Sequence, residues 1–104
     1  MDTLQPERPY RSGGSRNNRL FTEMAVQGRQ EDAQRFLNAI ADAVRLGIEA
    51  GADKATLKDI AGMAHDAASD LLAGMRRDLD NENLLPELAS LNFDALDAVL
   101  KEVA

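Results

Sequence analysis

The apolar residues of this chain recur at helical spacing. Between Glu31 and Glu49 they fall at Ala33, Phe36, Leu37, Ile40, Val44 and Ile48, with Ala43 and Gly47 beside them. That places one stripe on a 3.6-residue period and predicts a helix over 31–49. Thr22 is a candidate cap for an earlier turn holding Met24, Ala25 and Val26, with Gly28 as its weak point. Gly51 suits the left-handed residue that follows a helix end. A second helix is expected from Asp53 as N-cap, or from Thr56 with Asp59 three residues on. Its stripe is Leu57, Ile60, Ala61, Ala64, Ala67, Ala68, Leu71, Met75 and Leu79. A loop of only about four residues makes the two helices an antiparallel hairpin. Small residues recur on the second helix (Ala61, Gly62, Ala64, Ala67, Ala68) and let a neighbouring helix approach closely.

Beyond a polar break from Asp78 to Asn83, Leu84, Leu85, Leu88 and Leu91 cluster around Pro86, which suits the first turn of a short helix. Asn92 can cap a final helix bearing Phe93, Leu96, Val99, Leu100 and Val103. Residues 1–20 have a different character. Pro6, Pro9, Gly13, Gly14 and several Ser and Asn punctuate them, and only Leu4, Tyr10 and Leu20 bring sizeable apolar surface. Such a segment cannot offset its ordering entropy alone. The expected fold class is therefore all-α: a small bundle of an antiparallel hairpin plus one short and one final C-terminal helix. A flexible basic arm over 1–20 precedes a helical domain over 21–104. No period of 20–50 residues repeats, so a solenoid is not expected.

Charge sharpens this division. Residues 1–30 hold five arginines against three acids, a net of +2; the whole chain is −6, which leaves −8 on residues 31–104. Between Arg8 and Thr22 there are four arginines and no acid. Such an asymmetry concerns partners and solubility rather than fold. The chain has no cysteine, which excludes disulfides, thiolate metal sites and thiol catalysis. No charged start is followed by an apolar run, and no run approaches the roughly 20 residues of a membrane span. A cytoplasmic protein with no membrane association is expected.

Four short motifs invite a chemical reading. Residues 56–64, Thr-Leu-Lys-Asp-Ile-Ala-Gly-Met-Ala, resemble the first helix of LacI-type repressors. The resemblance covers nine residues and implies a helix-turn-helix unit. It stops at His65, where that family has a turn glycine, and the following segment carries Asp66 and Asp70, which repel phosphates. One continuous amphipathic helix is the expectation. Ser69 and His65 share a helix face, but Asp66 points away from both, and a serine inside a helix has no free amides nearby to hold an oxyanion. Asp78, Asp80 and Glu82 mimic the opening of a calcium loop, yet its sixth position is Asn83 and its twelfth is Ala89, which cannot ligate. Charged pairs such as Arg45 with Asp42, and Arg76 with Asp80, read as solvated helix faces. No catalytic residue, metal or cofactor is expected.

From Glu31 onward there are 22 large aliphatic or phenylalanine side chains and 16 alanines. That suffices for a modest core, and the leucine-dense C-terminal third exceeds what one hairpin needs. The expected function is non-enzymatic: a protein–protein interaction module such as a regulatory adaptor, inhibitor or assembly component. It would self-associate or join a larger complex through Leu84, Leu85, Leu88, Leu91, Phe93, Leu96 and Leu100. The second candidate surface is the arm, with Arg8, Tyr10, Arg11, Arg16 and Arg19. These residues make nucleic acid the alternative partner.

Overall fold

The computed structural model describes the backbone of residues 12–104 and the side chains from residue 18 onward. The chain is a small all-α bundle. Helix α1 runs Ser12–Glu49 and α2 runs Lys54–Asn81; a 3-10 turn, Pro86–Leu88, and helix α3, Asp94–Val103, follow. The first two helices form the antiparallel hairpin, and α3 packs against both.

The seam of the hairpin is written in two matching rows. In α1 these are Val26, Gln30, Ala33, Leu37, Ala41, Val44 and Ile48; in α2 they are Leu57, Ala61, Ala64, Ala68, Leu72, Met75 and Leu79. Every one is buried or half-buried. Both rows step by four, three, four, four, three and four residues. That averages close to the 3.6 residues of a straight turn, so the rows stay in contact along the seam without the strong left-handed coiling of a seven-residue repeat. The pattern reads the same in both directions, so antiparallel alignment matches it position for position. That alignment sets Val26 level with Leu79, Leu37 with Ala68, Val44 with Ala61, and Ile48 with Leu57. The close approach of Gly47 to Leu57 and the Arg29–Asp78 ion pair at 2.7 Å fit this register. Large residues face small ones at several levels, which is how two helices interdigitate without voids.

The ends of the hairpin have specific chemistry. At the end of α1, Gly51 takes a φ of 79°, its N–H donates to the Ile48 carbonyl, and the Ala52 N–H donates to the Gly47 carbonyl. This Schellman arrangement satisfies the last carbonyls of the helix. The Asp53 carboxylate then accepts from the Thr56 N–H at 3.1 Å and from its hydroxyl at 3.0 Å, which caps α2. Helix α2 ends the same way with Asn83 at a φ of 60°, the Leu84 N–H donating to the Leu79 carbonyl at 2.8 Å. The polar break after Asp78 is thus the last turn of α2 and its left-handed terminator. At α3 the capping is displaced by one residue. Phe93 occupies the N-cap position, while the Asn92 side chain accepts from the Asp94 N–H at 2.8 Å.

The start of α1 departs from expectation. Composition assigns residues 12–20 to an arm, whereas the helix begins at Ser12. Nucleation is the costly step of helix formation, and the packed part of α1 supplies it; adding further turns then needs only a small gain per residue. Gly28 lies within this helix with nothing near the position of an added Cβ. Gly28→Ala is therefore expected to stabilise the fold by about 0.5–1 kcal/mol, read as a raised denaturation midpoint.

Not all of the expected stripes are buried. Phe36 and Ala43 of α1, and Ile60, Ala67 and Leu71 of α2, are exposed. The apolar stripe is wider than a two-helix seam. Among the described residues one further helix, α3, is available to cover it, and it takes one flank.

Candidate interaction surface

The C-terminal leucines divide into two groups. Leu96, expected on a partner face, is only 1% exposed and sits with Val99 and Val103 in the core formed with Leu37, Val44 and Ala61. That expectation is corrected: a helix as short as α3 holds itself to the hairpin only by burying its own apolar row. Leu91, Phe93 and Leu100 pack partly against the same core, and Leu84 packs against Val26, Met75 and Leu79. Leu85 and Leu88, at 67% and 55% exposure, stay at the surface.

Polar side chains of the hairpin hold the connecting segment in place. The Arg76 Nε donates to the Ala89 carbonyl at 3.0 Å, in place of the expected pairing with Asp80. The Ser90 N–H donates to the Gln30 Oε1 at 2.9 Å. Gln34 makes two bonds to one residue: its Oε1 accepts from the Asn92 N–H at 2.8 Å, and its Nε2 donates to the Asn92 carbonyl at 2.9 Å. An amide side chain offers a donor and an acceptor, so it reads extended backbone as a neighbouring strand does. Gln34→Ala is expected to cost about 0.5–1.5 kcal/mol, since water reaches the exposed Asn92 groups once they are released. Urea titration gives the value; a change near zero contradicts the role.

The flank that α3 occupies is marked by Gln34, His65 and Arg76. The His65 ring lies 4.8 Å from that of Phe93, and its Nε2 is 3.8 Å from an Asp97 oxygen. On α2, at about 100° per residue, His65 and Arg76 lie to one side of the buried row. Ile60, Met63, Ala67 and Leu71 lie to the other side, spaced three or four residues apart. On α1, Phe36 and Ala43 flank the buried row on that same side of the hairpin, with half-buried Ile40 between them. The result is an apolar face across both helices, opposite α3. Met63 is 66% and Leu71 47% exposed there. The outer edge of its α2 half carries Asp59, Asp66 and Asp70, all exposed. Residues 59–75 contain no lysine or arginine.

Part of the expected arm falls within the described residues. Arg8, Tyr10 and Arg11 lie outside the described residues. Arg16 falls within α1, and Arg19 is an exposed residue of the same helix. Phe21 and Thr22 line a shallow concavity with Asn81 and Glu82, which marks where α2 ends alongside α1. Residues 12–20 therefore project past the end of α2, and Leu20, Phe21 and Met24 are exposed at and near this projection.

Helix α2 runs unbroken through His65–Ala67, so residues 56–64 are not half of a helix-turn-helix unit. Asp78 binds Arg29 rather than joining Asp80 and Glu82 as a ligand set. Among the described residues, no group of three or more acidic, histidine or cysteine side chains is placed to hold a metal, and no helix is long and apolar enough to cross a membrane. Compared with known proteins, the chain matches no family model, no curated protein and no solved structure.

The open face was legible in the sequence only as surplus. Its residues belong to the same stripes as the core. The signal that separates them is the four–three row itself: Ile60, Met63, Ala67 and Leu71 fall outside that row while keeping its spacing.

Proposed function

We propose that this chain is a non-enzymatic, cytoplasmic protein–protein interaction module that acts by burying the open face of its hairpin against a protein partner, a second copy included. One feature carries the reading: Phe36, Ile60, Met63 and Leu71 are exposed, and helical spacing sets them on the flank of the hairpin away from His65 and Phe93. Contiguous exposed apolar surface rimmed by polar residues is the usual mark of a contact site. Association that covers it removes that surface from water, at roughly 25 cal/mol per Å². The partner surface thus moves from the C-terminal leucines to the hairpin, with Leu85 and Leu88 as a smaller outlying patch. Light scattering across protein concentrations, together with affinity capture, tests this. The chain should show a mass that rises with concentration or a stoichiometric retained partner. The pair Met63→Glu and Leu71→Glu should abolish that while leaving the helical circular dichroism intact. A strictly monomeric chain with no retained partner contradicts the reading.

Nucleic acid is the second reading, favoured by the four arginines with no acid between Arg8 and Thr22. It predicts binding that falls steeply with salt and disappears when those arginines are replaced. Binding that ignores salt, or none at low salt, removes it.

A further inference from the structure

We propose that the occupant of the open face is the projecting, arginine-bearing start of α1 from a second copy of the chain. This rests on the interaction reading above and names the partner. Three observations support it.

The first is charge. The face is edged by Asp59, Asp66 and Asp70, with no lysine or arginine in residues 59–75. From Ser12 to Met24 this segment carries Arg16 and Arg19 against one acid, Glu23, which follows the acid-free stretch from Arg8 to Thr22. Each surface repels a copy of itself and attracts the other, which sets register and partner choice more than affinity.

The second is shape. From Ser12 to Met24 the helix rises about 18 Å, and from Ile60 to Leu71 the face runs about 17 Å. The segment ends in exposed Leu20, Phe21 and Met24, which supply apolar surface to match that of the face. A helix laid along a two-helix groove is a common mode of recognition.

The third is connectivity. Leu20 and Phe36 lie on one continuous helix, about 24 Å apart along its axis. The helix cannot fold back, so the segment cannot reach the face of its own chain. Two chains laid antiparallel satisfy both faces at once, which closes the assembly as a two-fold dimer.

The test uses the full chain and two charge-reversed variants. One carries Arg16→Glu and Arg19→Glu, the other Asp66→Arg and Asp70→Arg. Sedimentation velocity reads the mass, and circular dichroism checks that each variant keeps its helices. Each variant alone should dimerise roughly tenfold or more weakly than the parent chain, because each now sets like charges against each other. Mixed in equal amounts they should form a heterodimer near parental affinity, since both contacts again join opposite charges. Restored association in the mixture supports the proposal. A parent that dimerises while both variants match it, or variants that fail to rescue one another, overturns the proposal and leaves the interaction reading standing. A parent chain that stays monomeric to about millimolar concentration overturns both.

Discussion

Leu37→Ala is expected to lower the stability of the fold by about 2–5 kcal/mol, the range for removing a large aliphatic side chain from a packed core. Leu37 is 1% exposed, and the matched rows set it opposite Ala68, which is fully buried in the same core on α2. The opposite error, Ala68→Leu, sets two leucines where the seam holds one large and one small side chain. It is expected to cost about 1–3 kcal/mol through overpacking. The two changes compensate only if the register is right. The double variant Leu37→Ala with Ala68→Leu restores one large and one small residue at that level. It should be more stable than the sum of the single effects predicts, by roughly 0.5–3 kcal/mol of coupling. Denaturant titration of the four proteins measures this. Simple additivity contradicts the pairing.

Leu96→Ala is the second large effect, again about 2–5 kcal/mol. It separates two accounts of the C-terminal leucines. If Leu96 is core, as its burial with Val99 and Val103 requires, its truncation lowers the unfolding midpoint at every protein concentration. If it were partner surface, the monomer would keep its stability and only the association would weaken. The control is Leu85→Ala. Leu85 is 67% exposed, so this substitution should leave the midpoint within about 0.5 kcal/mol of the parent.

The parts of the fold that rest on local chemistry were legible in the sequence. Gly51 and Asp53 mark the turn of the hairpin because a left-handed residue and a capping carboxylate act within a few residues of themselves. The two helices follow from their apolar period, and the four-residue loop follows from those markers. What was not legible depends on distant packing. The stripe of α2 contains both Ala61 and Ile60, and only comparison with the matching row of α1 tells which of them lies under that helix. Which flank stays open depends on where α3 docks, and Phe93, at the start of α3, meets His65 some 30 residues away in sequence. Gln30 and Gln34 show the same limit. As polar residues at or beside the seam they look like interruptions until the backbone of Ser90 and Asn92 arrives to bond them. The early start of α1 was hidden for a different reason. Gly13 and Gly14 speak against a helix taken alone, but not against the extension of one already held by its packing. The exposed apolar surface was half legible: the surplus was evident, but Leu96, expected at the surface, is buried, while Leu85 and Leu88 are exposed as expected.

Methyl NMR of the methionines separates these surfaces, because Met63, Met24 and Met75 each sample a different one. Met63 lies on the open face, Met24 near the projecting end of α1, and Met75 in the core at 1% exposure. As protein concentration rises, the Met63 and Met24 methyl resonances should move together along one binding curve while that of Met75 stays fixed. Methyl positions that remain constant to millimolar concentration, or a Met75 resonance that moves while Met63 does not, contradict the assignment of the hairpin face as the surface where this chain meets its own copy.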